Sequence, residues 1–342
     1  MSRMLDEPAP RDARVGAVGD AAAPMIEIVD LVKRFGPFTA VDGVSFAVGR
    51  GEVLGFLGPN GAGKSTTMKM AAGFLSPTRG RIAIAGHDVE TDALAAKRAL
   101  GYLPEGAPAY GDMTPRSFLE FLGRVRGLER AVLARRLAQV VEEIQLAAVL
   151  DQPIETLSKG FKRRVGLAGA ILHDPPCLIL DEPTDGLDPN QKHEVRNLIR
   201  RMAPDKAIVV STHILEEVEA VCSRAVIIDR GRVVADGRPA ELVARSPFHN
   251  GVRLRLLANV ADLGARLADV PGVTRVVTPE AGTPGRDFLV VPAPGASIIE
   301  GVAARLRQTG IAIETMAVEH GKLEDVFRDL TTSDAARTGA RP

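Results

Sequence analysis

Lys64 and Ser65 stand where the short apolar run EVLGFL gives way to the helix-forming stretch STTMKMAAGFL. Between the two runs lies GPNGAG, so the order is buried strand, glycine-rich loop, helix. The spacing Gly58-x-x-x-x-Gly63-Lys64-Ser65 is that of a phosphate-binding loop. Glycines let successive backbone N–H groups turn toward one point, and that point is also the positive end of a helix. Lys64 adds a full charge suited to β- and γ-phosphates, and the Ser65 hydroxyl suits Mg²⁺. A second chemical pair, Asp181 and Glu182, closes the run CLILDEP. Asp181, at the C-terminal end of an apolar strand, is placed to hold Mg²⁺ directly or through water. Glu182, beside it, is free to polarise an attacking water. Adjacent acids also suit a solvated turn, but the apolar strand and the upstream loop favour the catalytic reading.

These groups need a scaffold. Short β-type runs precede and follow the loop: IEIVDLV, VSFAV, EVLGFL and RIAIAG. From Ala93 to Leu150 the pattern turns helical. CLILDEP and AIVVSTH then read as two buried parallel strands, each followed by a helix. AVIIDRGRVVADG reads as a closing strand pair. From Val252 to about Val318 the order is strand, helix, strand, strand, helix, strand, as in a small split βαβ domain. GKLEDVFRDLTT reads as a short helix. The expected division is a disordered leader over 1–24, a nucleotide-binding domain over 25–245 with a helical subdomain at about 105–160, an accessory domain over 246–330 and a flexible tail over 331–342.

Composition bounds the function. The chain has 342 residues, enough for two domains, with 43 basic and 43 acidic side chains and a formal net charge of +0. Such balance supplies no global field for nucleic acid or an anionic membrane. Cys177 and Cys222 are far apart, which supports neither a disulfide scaffold nor a zinc site; both read as small buried apolar residues in a reducing compartment. No segment reaches the ~18 apolar residues that cross a bilayer, and the leader lacks the apolar core of a signal peptide. The expectation is a cytoplasmic protein whose membrane work is done by a partner.

From about Met25 to Leu242 the chain resembles the nucleotide-binding subunits of ABC transporters. GPNGAGKST resembles their Walker A motif, LILDE the Walker B, TLSKGFKRRVGLAGAIL the signature, GLDPNQ the D-loop and Thr212-His213 the switch histidine. KRFGPFTAVDGVSF resembles the strand that carries the adenine-stacking aromatic, GYLPEGAPAYGDMTPRSFLEF the Q-loop, and LEDVF an ending common in exporter-type subunits. The implied fold is α/β: a P-loop NTPase core of ABC type with an antiparallel β subdomain and a helical subdomain, plus a small C-terminal α+β domain. The implied ligands are ATP and Mg²⁺.

By the same resemblance, Phe35 stacks on adenine, with Phe38 as the alternative. The loop from Gly58, through the backbone of Asn60, Gly61, Ala62, Gly63 and Lys64, wraps the β-phosphate, and Thr66 lies near the α-phosphate. Ser65, Asp181 and Glu105 serve the metal. Glu182, His213 and Lys64 are the catalytic set, His213 bonding the γ-phosphate and orienting water. Ser158 and Gly160 open a helix that faces the γ-phosphate of the opposite subunit, and Asp188 lies across the dimer seam. The implied partners are membrane-spanning permease subunits and a second copy or a closely related ATPase subunit, with no nucleic acid. The implied location is cytoplasmic, peripheral on the inner face of the cell membrane.

Two positions depart from the family pattern. Glu105 stands where glutamine is usual, and Leu157-Ser158-Lys159-Gly160-Phe161 replaces LSGGQ. LSKG together with YLPE resembles a branch of exporter-type subunits, some linked to gliding motility or copper-enzyme maturation. The rivals are a non-transport ABC protein, which normally carries two ATPase units, a long coiled coil or a zinc module, and an ATP-sensing regulatory module without turnover.

Overall fold

Residues 23–106, 109–279 and 282–337 are described by a computed structural model. The expected leader, apart from its last two residues, lies outside them.

The centre is a six-stranded sheet in the order Arg232–Gly237, Arg224–Asp229, Val53–Leu57, Ala207–Thr212, Cys177–Asp181, Leu100–Leu103. All its neighbours are parallel except the first pair, which is the antiparallel closure expected around Arg230-Gly231. Val53–Leu57, Cys177–Asp181 and Ala207–Thr212 are buried along their whole length. That is why they read as continuous apolar runs rather than alternating ones. A four-stranded antiparallel sheet, in the order Phe38–Val48, Ile26–Phe35, Arg79–Ile84, His87–Asp88, shares one core with the helix Lys64–Ala71 and one face of the central sheet. The helices Pro115–Val125, Arg130–Glu143, Lys159–Ile171 and Pro189–Met202 build the other core. Both cysteines are buried thiols, and burial pushes Cys177 up to about 11 and Cys222 up to about 12.

One expectation needs correction. The stretch read as helical from Ala93 is broken by the strand Leu100–Leu103, which pairs in parallel with Cys177–Asp181. Four residues are too few to set a period, and the sheet edge decides their conformation. Gly101 is needed there, because a Cβ would lie 2.2 Å from the Ala170 carbonyl oxygen. This strand delivers Glu105 to the site.

Residues 251–319 form a third sheet, antiparallel, in the order Val273–Val277, Asp287–Pro292, Gly251–Leu256, Ile313–Glu319. The helices Leu263–Leu267 and Ile299–Gln308 pack on it over a core of their own that includes Val252, Leu254, Val290 and Val302. The chain then returns. The helix Leu323–Arg337 packs on Pro239–Val243, and Leu323, Phe327 and Leu330 join the core that holds the Cys177–Asp181 strand. A flexible tail over 331–342 was expected; the helix continues to Arg337, its apolar residues at i, i+4 and i+7 forming one face, and residues 338–342 lie outside the described ones. The two connections are fastened together. The Ser246 hydroxyl donates to Asp325 Oδ2 (3.3 Å), and His249 Nδ1 donates to the His320 carbonyl (2.7 Å).

Candidate functional site

Backbone geometry forms the phosphate loop. Gly58 admits no side chain, since a Cβ would meet the Ile228 carbonyl oxygen at 2.4 Å. Gly63 caps the helix at φ 104°, a left-handed conformation that favours glycine, with a Cβ position 2.5 Å from the Ala40 carbonyl oxygen. Asn60, Gly61 and Ala62 complete the turn between the strand and the helix. Ser65 and Thr66 lie in the first turn of the helix. Lys64 is buried and donates from Nζ to the carbonyls of Gly58 (2.7 Å) and Pro59 (3.1 Å), so its ammonium is held over the loop. Burial lowers the Lys64 pKa, while Glu182, Asp181 and Glu105 act in the opposite direction.

Two neighbouring strand ends bring the acids to this loop, and a third brings His213. Both oxygens of Asp181 are fully buried and make no hydrogen bond. Burial raises its pKa, and Glu105 adds to the rise. The Ser211 and Ser65 hydroxyls are near enough to oppose this electrostatically, but neither closes a hydrogen bond of good geometry. An orphaned carboxylate is expensive to bury, and beside a helix-start hydroxyl it suits a hard cation. Ser65 Oγ lies 3.5 Å from Glu105 Oε2. Glu182 follows Asp181 at φ 52°, a strained conformation for a non-glycine residue, held by its N–H donating to the Ser211 carbonyl at 2.8 Å. Its Oε1 is 2.9 Å from His213 Nδ1, and the Thr212 hydroxyl is 3.4 Å from Oε2.

The structure therefore gathers Gly58, Gly63, Lys64, Ser65, Glu105, Asp181, Glu182 and His213 into one site. Phe35 and Phe38 face each other across the tip of their hairpin, 48% and 62% exposed, with the Lys33 ammonium 5.1 Å from the Phe35 ring centre. The strand that begins at Phe38 approaches the phosphate loop at Ala40, whose carbonyl oxygen lies against Gly63. Ser158, Gly160 and Asp188 form a second, separate group. Ser158 caps the helix Lys159–Ile171 by accepting from Phe161 N–H (3.3 Å), and Asp188 caps Pro189–Met202 by accepting from Gln191 N–H (2.9 Å). A Cβ at Gly160 would sit 2.6 Å from the Gln191 side chain, so these two helix starts abut. Both caps are exposed.

Sequence reasoning missed Arg163. Its buried guanidinium donates to the carbonyls of Pro104 (2.9 Å), Asp181 and Glu182, bracing the acid-bearing turn from beneath. Burial lowers its pKa, opposed by Asp185, Asp181, Glu182 and Glu105; guanidinium remains charged regardless. Only its place in the cationic run FKRR, in which Arg164 is buried as well, hinted at it. Thr184 and Glu217, both buried and bonded to each other, were missed as well.

The chain is similar to known proteins. The family described as ABC transporter matches residues 41–185. The chain is 38% identical to Nod factor export ATP-binding protein I of Ralstonia nicotianae, over 66% of this chain and 70% of that protein. It is 34% identical to a daunorubicin resistance ATP-binding protein of Streptomyces coeruleorubidus, over 88% of this chain and 94% of that protein, a match long enough to reach into the third sheet. A solved ATP-binding subunit of an ABC transporter superposes with a TM-score of 0.60 at 34% identity, over 64% of this chain and 91% of that chain. A phosphate loop, a strained acid beside a histidine and relatives of this closeness carry one conclusion: the chain belongs to the ABC transporter ATP-binding proteins and is an ATPase.

Proposed function

We propose that the chain powers a separate membrane permease, as an exporter subunit, by closing and opening a dimer around two ATP. The carrying observation is the Glu182–His213 contact at 2.9 Å beside the phosphate loop. In this reading Lys64 and the loop N–H groups hold the β- and γ-phosphates, and an exposed aromatic at the hairpin tip, Phe35 or Phe38, holds the adenine. Glu182 takes the proton of the attacking water, and His213 fixes the direction of that carboxylate. Ser65, Asp181 and Glu105 are the oxygen donors for Mg²⁺, and the unpartnered oxygens of Asp181 fit that role. Among the described residues no three His, Cys, Asp or Glu converge as a metal cluster; phosphate oxygens and water would complete the shell. When bound, Mg²⁺ neutralises charge on the phosphates.

The exposed caps Ser158 and Asp188, and Gly160 between them, are where a second subunit would meet this one's nucleotide. No described helix is long and apolar enough to cross a membrane. A groove of about 550 Å³ between the core and the helical subdomain, with Phe74, Leu94 and Val125 exposed along it, suits an apolar cytoplasmic segment of a permease. Its wall includes Tyr102 and Pro104, next to Glu105, so docking there bears directly on the site. The finer branch, like subunits of gliding motility or copper-enzyme maturation, rests on YLPE and LSKG alone. The named relatives serve Nod factor export and daunorubicin resistance. Residues 251–319 make an accessory domain for dimer support or regulation.

The test is phosphate release by the purified chain with Mg-ATP, together with sizing of a Glu182→Gln variant. Turnover in the first and an ATP-dependent dimer in the second support the reading. An ATP-bound monomer in both proteins would leave a sensing module as the better account.

A further inference from the structure

Glu217 is the least expected charge in the molecule. It lies on the helix Leu215–Val221, which starts two residues after His213, and it is 1% exposed. Its Oε1 accepts a hydrogen bond from the Thr184 hydroxyl, itself 2% exposed and two residues after Glu182. Among the described residues its one ion pair is to Arg196, with Nη2 3.8 Å away, on the helix that Asp188 caps; Lys192 on the same helix acts from farther off. Burial raises the carboxyl's pKa, with Thr184 and Arg196 acting against the rise. One hydroxyl, one loose ion pair and a more distant lysine repay little of what it costs to bury a carboxylate, and an apolar residue of similar volume would pack there without that cost. The bond therefore contributes geometry rather than net stability.

That geometry concerns the catalytic pair. Glu182 and His213 come from two adjacent strand ends. On the sheet side the two ends are joined by Glu182 N–H to the Ser211 carbonyl. On the far side they are joined by Thr184 to Glu217. Between the two fastenings sits Glu182 at positive φ, a conformation that relaxes unless its surroundings hold it.

We propose that Glu217 is a positioning residue for ATP hydrolysis, its bond to Thr184 setting the distance between Glu182 and His213. Through Arg196 the same carboxyl reaches the helix of the D-loop, so one buried group registers three segments of the site. This inference rests on the hydrolytic roles proposed above for Glu182 and His213.

The experiment measures kcat and KM for Mg-ATP, and binding of a fluorescent ATP analogue, in the full chain, four single variants of the pair, one double variant and Glu182→Gln. Thr184→Val and Glu217→Ala each lower kcat by ~10-fold or more, because a displaced catalytic group loses rate steeply. KM and analogue binding stay unchanged, and the double variant is no slower than the slower single one. Glu217→Gln keeps an oxygen that accepts from Thr184, and Thr184→Ser keeps the donor; both recover most of the rate. Wild-type rates in Thr184→Val, or a Glu217→Gln variant as slow as Glu217→Ala, overturn the proposal. If Glu217→Ala does not fold, the near-isosteric Thr184→Val and its serine counterpart decide alone. A wild-type chain whose turnover is insensitive to Glu182→Gln would instead refute the proposed roles of the catalytic pair.

Discussion

His213 Nδ1 lies 2.9 Å from Glu182 Oε1, with the acid buried and the imidazole half exposed. The acid is fixed by the sheet and the imidazole faces solvent.

Glu182→Gln keeps the shape of the side chain and removes the base. Hydrolysis falls by ~10²-fold or more while ATP binding persists. Equilibrium binding of radiolabelled ATP and single-turnover hydrolysis check this together; a variant that hydrolyses at the wild-type rate removes Glu182 from the mechanism.

Asp181→Asn separates stability from function. Burial raises the folded-state pKa of Asp181, so ionisation favours the unfolded chain. The penalty is fully present above the folded pKa and fades as pH falls through it toward the ordinary aspartate value. The asparagine variant therefore melts higher than wild type near neutral pH, and its advantage shrinks in acid. It also loses the extra stabilisation that Mg²⁺ adds to ATP. Melting curves across pH, with ATP alone and with Mg-ATP, read both effects. A variant that melts lower at neutral pH contradicts the sign.

Ser158→Ala should impair the nucleotide of the opposite subunit. In a mixed dimer with Lys64→Ala as partner, two arrangements of the mutations are possible, in one subunit or split between two. If the serine acts across the seam, the split arrangement keeps one intact site and turns over faster than the arrangement with both mutations in one subunit; the reverse order, or equal rates, argues against the shared site. Loss of the cap costs about 1 kcal/mol of stability in either arrangement, so it does not imitate the difference.

The third sheet is removable, but the helix after it is not. A Cβ on Gly321 would lie 2.6 Å from Ser246 Cβ, so a short glycine linker can join 246 to 321 and omit the sheet. That protein should fold and bind ATP. A chain cut after Arg245 instead loses Leu323, which is 0% exposed, at a cost of about 3 kcal/mol or more. Denaturation of the two proteins side by side distinguishes them; equal stability would show that the returning helix contributes nothing.

Much of the site was legible because its chemistry is local in sequence. Gly58 to Ser65 carry their own loop, and Asp181-Glu182 and Thr212-His213 each end an apolar strand. The βαββαβ order was legible too, since its turns and periods are short-range. Arg163, Thr184 and Glu217 were not, because their partners are backbone carbonyls or residues 33 positions away. A charged residue on a helix reads as solvated until packing reveals what covers it. The strand Leu100–Leu103 was hidden for a related reason: its conformation is set by its neighbour in the sheet.

The returning helix also sets an order of events in synthesis. Leu242 and Leu323 belong to one core, yet about 80 residues separate them. At ~5–20 residues per second, a ribosome takes roughly 4–16 s to make that interval. Throughout it, the nucleotide-binding core carries an uncovered apolar seam while the third sheet, with a core of its own, is already free to fold. A chain interrupted in this interval exposes that seam, which makes incomplete copies recognisable to the machinery that removes them.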